Sequence, residues 1–551
     1  MAITVLSKKK PQNSAELKKV LLSNRGITYQ TTFFSPPELL TISAEQVGID
    51  QMQLNQAVAR IQAAIDAKEK VVIYGDYDAD GISATAVLWQ ALHAAGAQIT
   101  PFIPKRDVHG YGLSIAGIDE VEREYAPDLV ITVDNGIVAA PAIVELKKRG
   151  IEVIITDHHQ PEQDKALRAK ITKNSVAQVH TTQLCGTGVA WFLAREFSEE
   201  MAVFGMDLVG LATIADQVPL VDWNRAAALH GLEALRTTQR VGLLALADQA
   251  KVDLKSLTST GVGYTLAPRI NAMGRLAHGL DALRLLCTNQ VVTANRLAAI
   301  LSETNVDRQE LTSDQFELAL SLAADQSDWP VTIVAHQDFH EGVVGLLAGR
   351  LVEKLHKPAL VIQIGEQLAK GSARSVAGVN VVELLRNVRE HLVDVGGHPM
   401  AAGFSLEPDK LEQFIVAIST AATERIGTEP QEETVAVECE LDPELVTLDT
   451  IEMIETFAPF GMANSEPLFL INNVPILRTR VFGREEQHCS MQFASVGQTK
   501  VEAIFWNESS VVIENHRAGG EASIVGKLSI NNWKNRRSAQ VIARSNKGGV
   551  G

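Results

Sequence analysis

Four short apolar runs alternate with helix-like stretches between residues 71 and 156, and this alternation is the strongest constraint on the fold. The runs are VVIY (71–74), QITPFI (98–103), DLVITV (128–133) and EVIIT (152–156). Strands that are separated by helices pair in parallel through right-handed crossovers, which gives an α/β sheet covered on both faces. Because ligands of such sheets bind at the carboxyl ends of the strands, we expect the chemistry at that edge.

The rest of the chain divides into further domains, as 551 residues require at roughly 100 to 200 residues per domain. Residues 293–327 lack Gly and Pro and repeat apolar residues at helical spacing, which predicts a long connecting helix. The run VTIVAH (331–336) begins a second α/β domain, and short β-like segments near the C-terminus predict a small barrel or sandwich. We predict five parts: an N-terminal extension (1–45), a catalytic domain (46–292), the connecting helix (293–327), the second α/β domain (328–427), and an acidic linker with the barrel (428–551).

Composition excludes several classes of protein. Hydrophobic residues make up 46% and charged residues 21%, which suits several ordinary cores and excludes a disordered or collagen-like chain. No segment approaches the ~18 uninterrupted apolar residues of a membrane span, so we predict no membrane association. The four cysteines have no CxxC spacing, which indicates neither a disulfide framework nor a zinc knuckle. These features predict a cytoplasmic protein.

The net charge of −16 disfavours nonspecific attraction to nucleic acid over the whole surface. The charge is distributed unevenly along the chain. Residues 429–455 hold ten acidic residues and no Lys or Arg. Residues 471–551 instead hold eleven Lys and Arg against six Glu. The basic character is therefore local, at the C-terminal end.

The segment YGDYDADG (74–81) follows the first apolar run and precedes a helix-like stretch. Asp76, Asp78 and Asp80 stand at alternate positions, and three crowded carboxylates repel one another unless cations neutralise them. A calcium loop of the EF-hand type is one alternative, but its twelfth position, which requires Glu, is Val87. An Asp-rich solvated turn with Gly81 is the other.

Later strand ends favour the metal site over the solvated turn. Asp134 follows the third apolar run, Asp157, His158 and His159 follow the fourth, and Asp216 ends the apolar stretch DLVGLATIAD. Carboxylates with one or two imidazoles suit Mn²⁺ or Mg²⁺, whereas zinc recruits thiolates or more histidines. Two such ions that share a carboxylate activate water and hold the oxygens of a phosphate ester. The residues thus predict phosphodiester or phosphoanhydride hydrolysis.

These motifs resemble those of the DHH phosphoesterase superfamily. Further segments resemble its bacterial RecJ family: CGTGVAW (185–191), APRINAMGRL (267–276), FHEGVVGLLAGRL (339–351), GSARS (371–375) and GGHPMAAGF (396–404). The last is similar to the signature of the DHHA1 companion domain. The resemblance spans roughly residues 45 to 425. It implies DHH and DHHA1 domains, a C-terminal OB-fold, and a single-stranded-DNA-specific 5′→3′ exonuclease of DNA repair and recombination.

The resemblance also implies roles for individual residues. Asp134 bridges two metal ions, His159 faces the scissile phosphate, and Asp157 fixes the tautomer of an adjacent histidine. The implied metal ligands are Asp76, Asp78, Asp80, Asp134, His158 and Asp216.

Arginine forks match phosphate oxygens in pairs, so arginines in the matched motifs are candidates for the substrate site. A salt bridge or a solvated surface is the ordinary alternative for each of them. The predicted substrate-binding residues are Arg269, Asn271, Arg275, His340, Arg350, Ser372, Arg374, Gly397 and His398. For the barrel we predict DNA contacts by Trp533, Lys534, Arg536 and Arg537, and we expect Trp506 in the core.

Two other functions stay open at this stage. One is a DHH-family phosphodiesterase of short oligonucleotides or cyclic dinucleotides, and the other is a non-catalytic scaffold that binds single strands. The basic barrel argues for a polymer substrate, and the complete set of acids argues against a scaffold. We predict a monomer that acts on single-stranded DNA with a 5′ end, with a helicase and a single-strand-binding protein as partners.

Overall fold

A computed structural model describes residues 2–426, 434–494, 500–508, 519–533 and 536–544, without the side chain of Trp533. The chain forms two compact units. One comprises Glu38–Val218 and His230–Gln431, and the other comprises Met1–Pro37, Pro219–Leu229 and Glu432–Gly551. We call them the α/β unit and the barrel unit.

The strands of the described residues are numbered in chain order. They are β1 (Ala2–Ser7), β2 (Lys70–Tyr74), β3 (Gln98–Phe102), β4 (Leu129–Val133), β5 (Glu152–Asp157), β6 (Ala177–His180), β7 (Thr332–His336), β8 (Ala359–Ile364), β9 (Ala369–Arg374), β10 (Asp394–His398), β11 (Ala401–Leu406), β12 (Thr434–Cys439), β13 (Phe469–Phe482), β14 (His488–Ala494), β15 (Lys500–Phe505), β16 (Glu521–Trp533) and β17 (Arg536–Arg544).

Helices separate most of these strands. Those of eight or more residues are Ser14–Asn24, Gln51–Ala67, Ala79–Ala94, Ile115–Tyr125, Ala140–Lys148, Lys165–Asn174, Gly186–Ala194, Met206–Ala215, Asp222–Arg236, Val241–Ala250, Ala267–Leu276, Gly279–Cys287, Val291–Ala323, Val344–Leu355, Leu411–Ile426 and Leu448–Glu455. In the described part of the chain, no helix is both long enough and apolar enough to cross a membrane.

The first sheet of the α/β unit is parallel throughout, in the order β3-β2-β4-β5-β6. Every residue of β4 is buried, as expected for a sheet covered by helices on both faces. The four apolar runs of the sequence are β2 to β5, so this part of the fold prediction is confirmed. The edge strand β6 was not predicted, because AQVH is short and only half apolar.

The second sheet of the α/β unit is mixed, in the order β10-β11-β9-β8-β7. Only β7 and β8 pair in parallel, and the other neighbours are antiparallel. One face packs against the helix Leu411–Ile426 through Phe404 and Phe414, whose ring centroids lie 5.3 Å apart. The other face packs against the helix Val344–Leu355.

The helix Val291–Ala323 joins the two sheets within the α/β unit. It runs for 33 residues without a break, which agrees with the predicted connecting helix. Its last turns bury Phe316, Ala319 and Ala323 in the same core as the helix Val344–Leu355. The second sheet is therefore anchored directly on the connector by apolar burial.

The barrel unit contains a closed five-stranded barrel in the order β13-β14-β15-β17-β16. All neighbouring strands are antiparallel except β15 and β17, which pair in parallel. Alternate side chains point into its core, among them Cys489, Met491 and Phe493 of β14. This five-stranded Greek-key barrel is the OB-fold, so the prediction for the C-terminal domain is confirmed.

The N-terminal segment is part of the barrel unit, and it is more than the isolated extension that the sequence suggested. Strand β1 pairs in parallel with β12, with Ala2 opposite Thr434 and Ser7 opposite Cys439. The next helix, Ser14–Asn24, buries Leu17 and Leu21 in the barrel core. The acidic stretch is likewise not only a linker, since it supplies β12 and the helix Leu448–Glu455.

Candidate metal centre

Carboxylates and an imidazole from distant parts of the chain meet at the carboxyl edge of the first sheet. The Nε2 atom of His158 lies 3.1 Å from Asp134 Oδ1, 3.6 Å from Asp216 Oδ2 and 3.9 Å from Asp80 Oδ2. The potential ligand atoms of Asp80, His158 and Asp216 all lie within 4.8 Å of one another, and so do those of Asp134, His158 and His159. The strand order explains the meeting, because β2, β4 and β5 are neighbours.

The turn after β2 holds the three alternating aspartates in fixed positions. Asp78 caps the helix Ala79–Ala94, and its Oδ1 accepts hydrogen bonds of 3.0 Å from the amides of both Asp80 and Gly81. Asp76 Oδ1 accepts from the Tyr77 amide at 2.6 Å. A Cβ atom on Gly81 would lie 2.5 Å from Asp76 Cβ, so glycine is needed here for packing.

Asp80 is oriented by the CGTGVAW motif. The amides of Gly186 and Thr187 donate to its two carboxylate oxygens, each at 2.7 Å. These amides begin the helix Gly186–Ala194, whose N-terminus favours a negative charge. A Cβ on Gly186 would lie 2.3 Å from Asp134 Oδ1. The motif therefore supports Asp80 and leaves room for Asp134 at the same time.

Asp134 adopts a left-handed backbone conformation, with φ of 62°. Non-glycine residues adopt this region at an energetic cost, which often marks a functional position. Its amide donates to Thr156 O at 3.0 Å, which keeps the turn attached to β5. Its Oδ1 atom is buried and forms no hydrogen bond with the described residues, although His158 Nε2 is close.

Burial and mutual repulsion raise the pKa of these carboxyl groups. The pKa values of Asp134 and Asp216 lie well above the ordinary value, because burial and then the charge of Asp80 disfavour the ionised form. For Asp76, burial and the charge of Asp78 raise the pKa to about 7. The buried Oδ2 of Asp76 also lacks a hydrogen-bond partner among the described residues. Divalent cations would relieve this repulsion, so the donor set fits Mn²⁺ or Mg²⁺.

Two histidines follow β5 and differ in environment. Burial lowers the pKa of His158, which favours the neutral imidazole that binds metals. His159 Nδ1 lies 2.8 Å from Asp157 Oδ1. Burial alone would lower the pKa of His159, but the hydrogen bond and charge of Asp157 raise it to about 9. His159 therefore keeps a proton on Nδ1 and turns Nε2 away from Asp157.

Asp157 is buried and satisfied by several donors. Its Oδ1 also accepts from the amides of His158 and His159, and its Oδ2 accepts from the Ile137 amide at 2.9 Å. Burial would raise its pKa, but His159 and these amides lower it to about 2. Asp157 thus stays ionised and holds both histidines in place.

A cluster of arginines lies in the same unit. Burial, and after it the charges of Arg106, Arg308 and Arg374, lower the pKa of Arg275 to about 10. Arg275 donates to Gly342 O at 3.0 Å, and Arg374 donates to Ser372 Oγ at 2.8 Å. None of the four arginines forms an ion pair with a carboxylate of the described residues. Several half-buried cations without an acidic partner among the described residues would suit an anion such as phosphate.

The two α/β domains approach each other at His159. The ring of His398, which ends β10, stands 6.3 Å from the ring of His159 and is almost parallel to it. Gly397 has φ of 136°, and a Cβ there would lie 2.4 Å from Ala401 O, so only glycine fits. Tyr111 reaches the same place, with its hydroxyl 3.2 Å from His159 Nε2.

Sequence reasoning missed Arg106 and Tyr111. Both lie in the loop after β3, a strand that neighbours β2 at the edge of the sheet. The rule that ligands bind at the carboxyl ends of strands applies to β3 as well and could have found them. The loop holds no carboxylate motif, so no pattern in the sequence marked it as part of the site.

Four predicted substrate residues are engaged elsewhere. Asn271 Oδ1 accepts from the Ala79 amide at 2.7 Å, which positions the aspartate turn. Arg269 donates to Thr265 O at 2.6 Å, and Arg350 lies over the ring of Phe316.

His340 Nδ1 accepts from the Gly342 amide at 3.0 Å. These contacts give each of the four residues a local structural role, and substrate binding by them stays a prediction.

The predicted DNA-binding residues of the barrel are only partly described. Lys534 and the side chain of Trp533 lie outside the described residues. Arg536 is exposed, and Arg537 forms an exposed ion pair of 2.9 Å with Glu452. Trp506 was expected in the core, but it is 51% exposed, so that expectation is wrong.

Comparison with known proteins identifies the family. The chain matches the family models described as DHH family, N-terminal domain (residues 70–215), DHHA1 domain (328–424) and RecJ OB domain (437–545). The single-stranded-DNA-specific exonuclease RecJ of Haemophilus influenzae is 31% identical over 517 residues, which cover 89% of this chain and 89% of the relative. The chain belongs to the RecJ family. The RecJ exonuclease of Bacillus subtilis is 35% identical over 496 residues, and the match covers 89% of this chain but 63% of that relative.

Solved RecJ structures share the fold. RecJ of Thermus thermophilus in complex with Mn²⁺ aligns with a TM-score of 0.80 and 28% identity, over 98% of this chain and 78% of that chain. The complex of the same protein with Mg²⁺ aligns with a TM-score of 0.76 and 27% identity. The predicted family and fold class are confirmed.

Proposed function

We propose that this chain is a single-stranded-DNA-specific exonuclease that hydrolyses phosphodiester bonds from the 5′ end. The observation that carries the proposal is the meeting of Asp80, Asp134, His158 and Asp216 beside arginines that form no ion pair with a described carboxylate. Relatives in the RecJ family carry the name of this activity. The 5′→3′ direction was implied by the resemblance and is part of the proposal.

The metal ligands would be the six residues of the sequence prediction. RecJ of Thermus thermophilus was solved with Mn²⁺ and with Mg²⁺, and the carboxylate-rich donor set here suits either ion. Two bound ions would supply an activated water and stabilise charge on the phosphate oxygens. The ligands are Asp76, Asp78, Asp80, Asp134, His158 and Asp216.

His159 is proposed to act at the scissile phosphate. Because Asp157 binds its Nδ1, the Nε2 atom is the one available to a substrate. A protonated Nε2 would donate to a phosphate oxygen or to the leaving oxygen. Tyr111 already places a hydroxyl 3.2 Å from this nitrogen, which marks the position that a polar substrate atom can take.

The arginines are proposed to bind phosphates of the strand, including the one at its 5′ end. Arg275 and Arg374 are both half-buried, so a phosphate bound there is less screened by solvent than at an exposed surface. Arg106 lies over the ring of Tyr77 at 5.5 Å, which places it next to the aspartate turn. The site can therefore hold a terminal phosphate close to the reacting one.

Single-strand selectivity has a steric basis. The rings of His159 and His398 stand 6.3 Å apart, whereas a DNA duplex is about 20 Å across by its groove dimensions. Two rings this close leave no duplex-wide opening between the two α/β domains at the metal centre, which favours a single strand as the substrate. The OB-fold of the barrel unit adds a type of domain that binds single strands, which favours a polymer over a cyclic dinucleotide.

Digestion of a strand with a different label at each terminus tests the proposal. With Mn²⁺ or Mg²⁺ present, we expect the 5′ label to be released first as a short product and the 3′ label to persist. The matching duplex should resist digestion. Early loss of the 3′ label would reverse the direction, and the absence of any release would reject the exonuclease.

Gly186→Ala should weaken Mn²⁺ binding about 10- to 100-fold, as is common when the support of a ligand is disturbed. The added Cβ would overlap Asp134 Oδ1 and push that carboxylate out of place. Isothermal titration with Mn²⁺ measures the change. Gly349→Ala is the matched control, since a Cβ at that helical position meets nothing within 4 Å. Equal affinity in the two variants would contradict the assigned position of Asp134.

Arg374→Ala should raise the Michaelis constant for a 5′-phosphorylated strand about 10- to 100-fold, the value of a charge-assisted hydrogen bond. The constant for a 5′-hydroxyl strand should change much less. Steady-state kinetics on the two strands give the comparison. If both constants rise equally, Arg374 does not recognise the terminal phosphate.

We also propose that the protein works as a cytoplasmic monomer, with a helicase and a single-strand-binding protein as partners. All four cysteines are free thiols, which suits a reducing compartment. Sedimentation of the purified chain tests the monomer, and a dimer at micromolar concentration would reject it.

A further inference from the structure

The loop that follows β3, residues 105–112, carries two residues of the site on a surface segment. Arg106 lies over the ring of Tyr77, with its guanidinium carbon 5.5 Å from the ring centroid. The Tyr111 hydroxyl lies 3.2 Å from His159 Nε2. The Tyr111 side chain is 62% exposed, so little packing holds it in place. The position of both residues therefore depends on what holds the loop.

His109 is buried within this loop. It is 5% exposed, whereas both of its neighbours in the chain are exposed. Its ring lies 5.5 Å from the ring of Phe102, the last residue of β3. Along the chain, His109 stands between Arg106 and Tyr111. A buried imidazole thus attaches the middle of the loop to the end of the strand.

Both ring nitrogens of His109 form hydrogen bonds. Its Nδ1 accepts from the amide of Lys105 at 2.9 Å. A nitrogen that accepts carries no proton, so the proton of the neutral ring lies on Nε2. This Nε2 donates to Glu120 Oε2 at 3.0 Å. The imidazole therefore joins the start of the loop to the helix Ile115–Tyr125, which carries Glu120.

Glu120 is available to hold His109. Its side chain is only 28% exposed, and its other ion pair is to Arg123 at the longer distance of 3.9 Å. Arg123 is 66% exposed and lies closer to Glu124, at 3.0 Å. An exposed and distant pair contributes little, so His109 is the main partner of this carboxylate.

The far end of the loop is attached separately. The Tyr74 hydroxyl donates to Gly112 O at 3.2 Å. Gly110 and Gly112 both have positive φ, of 78° and 63°, which glycine adopts at little cost. Glycines also leave the backbone free to rotate when it is not held. Tyr74 thus fixes the end of the loop, and His109 fixes its middle.

A fixed loop matters for the binding of phosphate. A guanidinium that is held in place before a ligand arrives loses less conformational entropy on binding it. The contacts of His109 are with Phe102, Lys105 and Glu120, and all of them lie outside the metal centre. An effect of His109 on the reaction must therefore pass through the residues that the loop carries.

We propose that His109, held by Glu120, is a positioning residue that fixes Arg106 beside the aspartate turn and so sets the affinity for the phosphates of the strand. We call the hydrogen-bonded pair His109–Glu120 the loop anchor. The proposal rests on the proposed function, because it names the support of an arginine in that site.

His109→Phe should raise the Michaelis constant for a single strand about 5- to 30-fold. This is less than the full loss of a charge-assisted hydrogen bond, because Arg106 stays in the chain. Phenylalanine keeps a ring beside Phe102 but removes both hydrogen bonds. The kcat should stay within about threefold. A variant that is merely less folded loses kcat at an unchanged Michaelis constant, and that result would overturn the proposal.

Two variants of Glu120 decide the question if His109→Phe fails to fold. Glu120→Ala removes the acceptor and should raise the Michaelis constant in the same way. Glu120→Gln keeps a carbonyl oxygen as acceptor and should recover most of the loss. Glu124→Ala on the same helix is the matched control, since it also removes a partner of Arg123 and should change nothing. Equal constants in the Ala and Gln variants of Glu120 would reject the loop anchor.

A double variant shows whether His109 acts through Arg106. When Arg106→Ala is already present, adding His109→Phe should change the Michaelis constant by less than about twofold, because the positioned group is gone. If the increase in the double variant equals the product of the two single increases, His109 does not act through Arg106.

Trypsin tests the loop anchor without substrate. It cleaves after Lys105 and Arg106 when the loop opens, at a rate that follows the population of the open form. Glu120→Ala leaves the buried Nε2 of His109 without its acceptor, so cleavage at these two bonds should be about 5- to 150-fold faster. Glu124→Ala should not change it. Equal cleavage in the two variants would reject the loop anchor.

These readouts separate the loop anchor from the exonuclease. If the unchanged protein releases no nucleotides with Mn²⁺, the exonuclease is rejected, and trypsin cleavage still decides on the loop anchor. Strand affinity, measured by fluorescence anisotropy in a chelator, then replaces the Michaelis constant. Normal release of nucleotides with the same Michaelis constant in every variant would reject the loop anchor and leave the exonuclease standing.

Discussion

Asp134→Asn is expected to reduce metal-dependent release of nucleotides by about a thousandfold or more, because it removes the carboxylate that we propose as the bridge between two ions, and such ions stabilise developing charge by several kcal/mol. Asn keeps the side-chain shape and tolerates the left-handed backbone at this position, so the fold should persist. Affinity for single-stranded DNA should remain, since the arginines and the barrel are untouched. Asp66→Ala, at an exposed helical position, is the control.

The same variant has a second readout that needs no substrate. The raised pKa of Asp134 means that its charged form is disfavoured in the folded state. Asp134 therefore lowers the free energy of unfolding at every pH above its pKa in the unfolded chain, which is near 4. This loss of stability disappears as the pH falls below that value. At neutral pH and without metal, Asp134→Asn should therefore melt at a higher temperature than the unchanged protein. Undiminished turnover, or a lower melting temperature, would reject the bridging position.

Asp157→Asn is expected to lower kcat about 100- to 10 000-fold, the range for loss of a positioned general acid or base. The carboxylate accepts hydrogen bonds from His159 and three backbone amides, and an asparagine cannot accept with its NH₂ group. His159 would lose both its orientation and its stabilising charge. Rapid-quench measurement of a single turnover separates the rate of hydrolysis from strand binding.

A double variant separates positioning from other effects of Asp157. If Asp157 acts through His159, adding Asp157→Asn to His159→Ala should cause little further loss. If the fold-loss of activity in the double variant equals the product of the two single losses, Asp157 acts independently of His159. Mn²⁺ affinity should be measured as well, since the adjacent His158 is a predicted ligand.

The sequence predicted the catalytic edge well because the physical rule is local. An apolar run marks a strand, and the polar residue directly after it lies at the rim of the sheet, so Asp134, Asp157 and His158 could be placed without coordinates. Asp216 was harder to place, since it follows the helix Met206–Ala215 and no strand, and the sequence linked it to the others only as an acid at the end of an apolar stretch. The approach of His398 to His159 depends on packing between two domains, which no local pattern encodes.

The errors also have physical causes. Trp506 was assigned to the core by residue type, but the alternation along KVEAIFW could have placed it outside, since Val501, Ala503 and Phe505 point inward. For Arg269 and Arg350, which match the family motifs and contact Thr265 O and the ring of Phe316, the substrate role stays a prediction. A motif shows that a residue is present, whereas its partners depend on the fold.

The pairing of β1 with β12 has a consequence for synthesis on the ribosome. Strand β1 cannot pair until Thr434, the partner of Ala2 in β12, has left the ribosome. At 5 to 20 residues per second, the wait is roughly 20 to 90 seconds. During that time the apolar N-terminal segment has no partner strand, while the α/β unit can already fold. Nascent chains arrested before residue 434 should therefore be cleaved by protease within their first residues, and completed chains should resist.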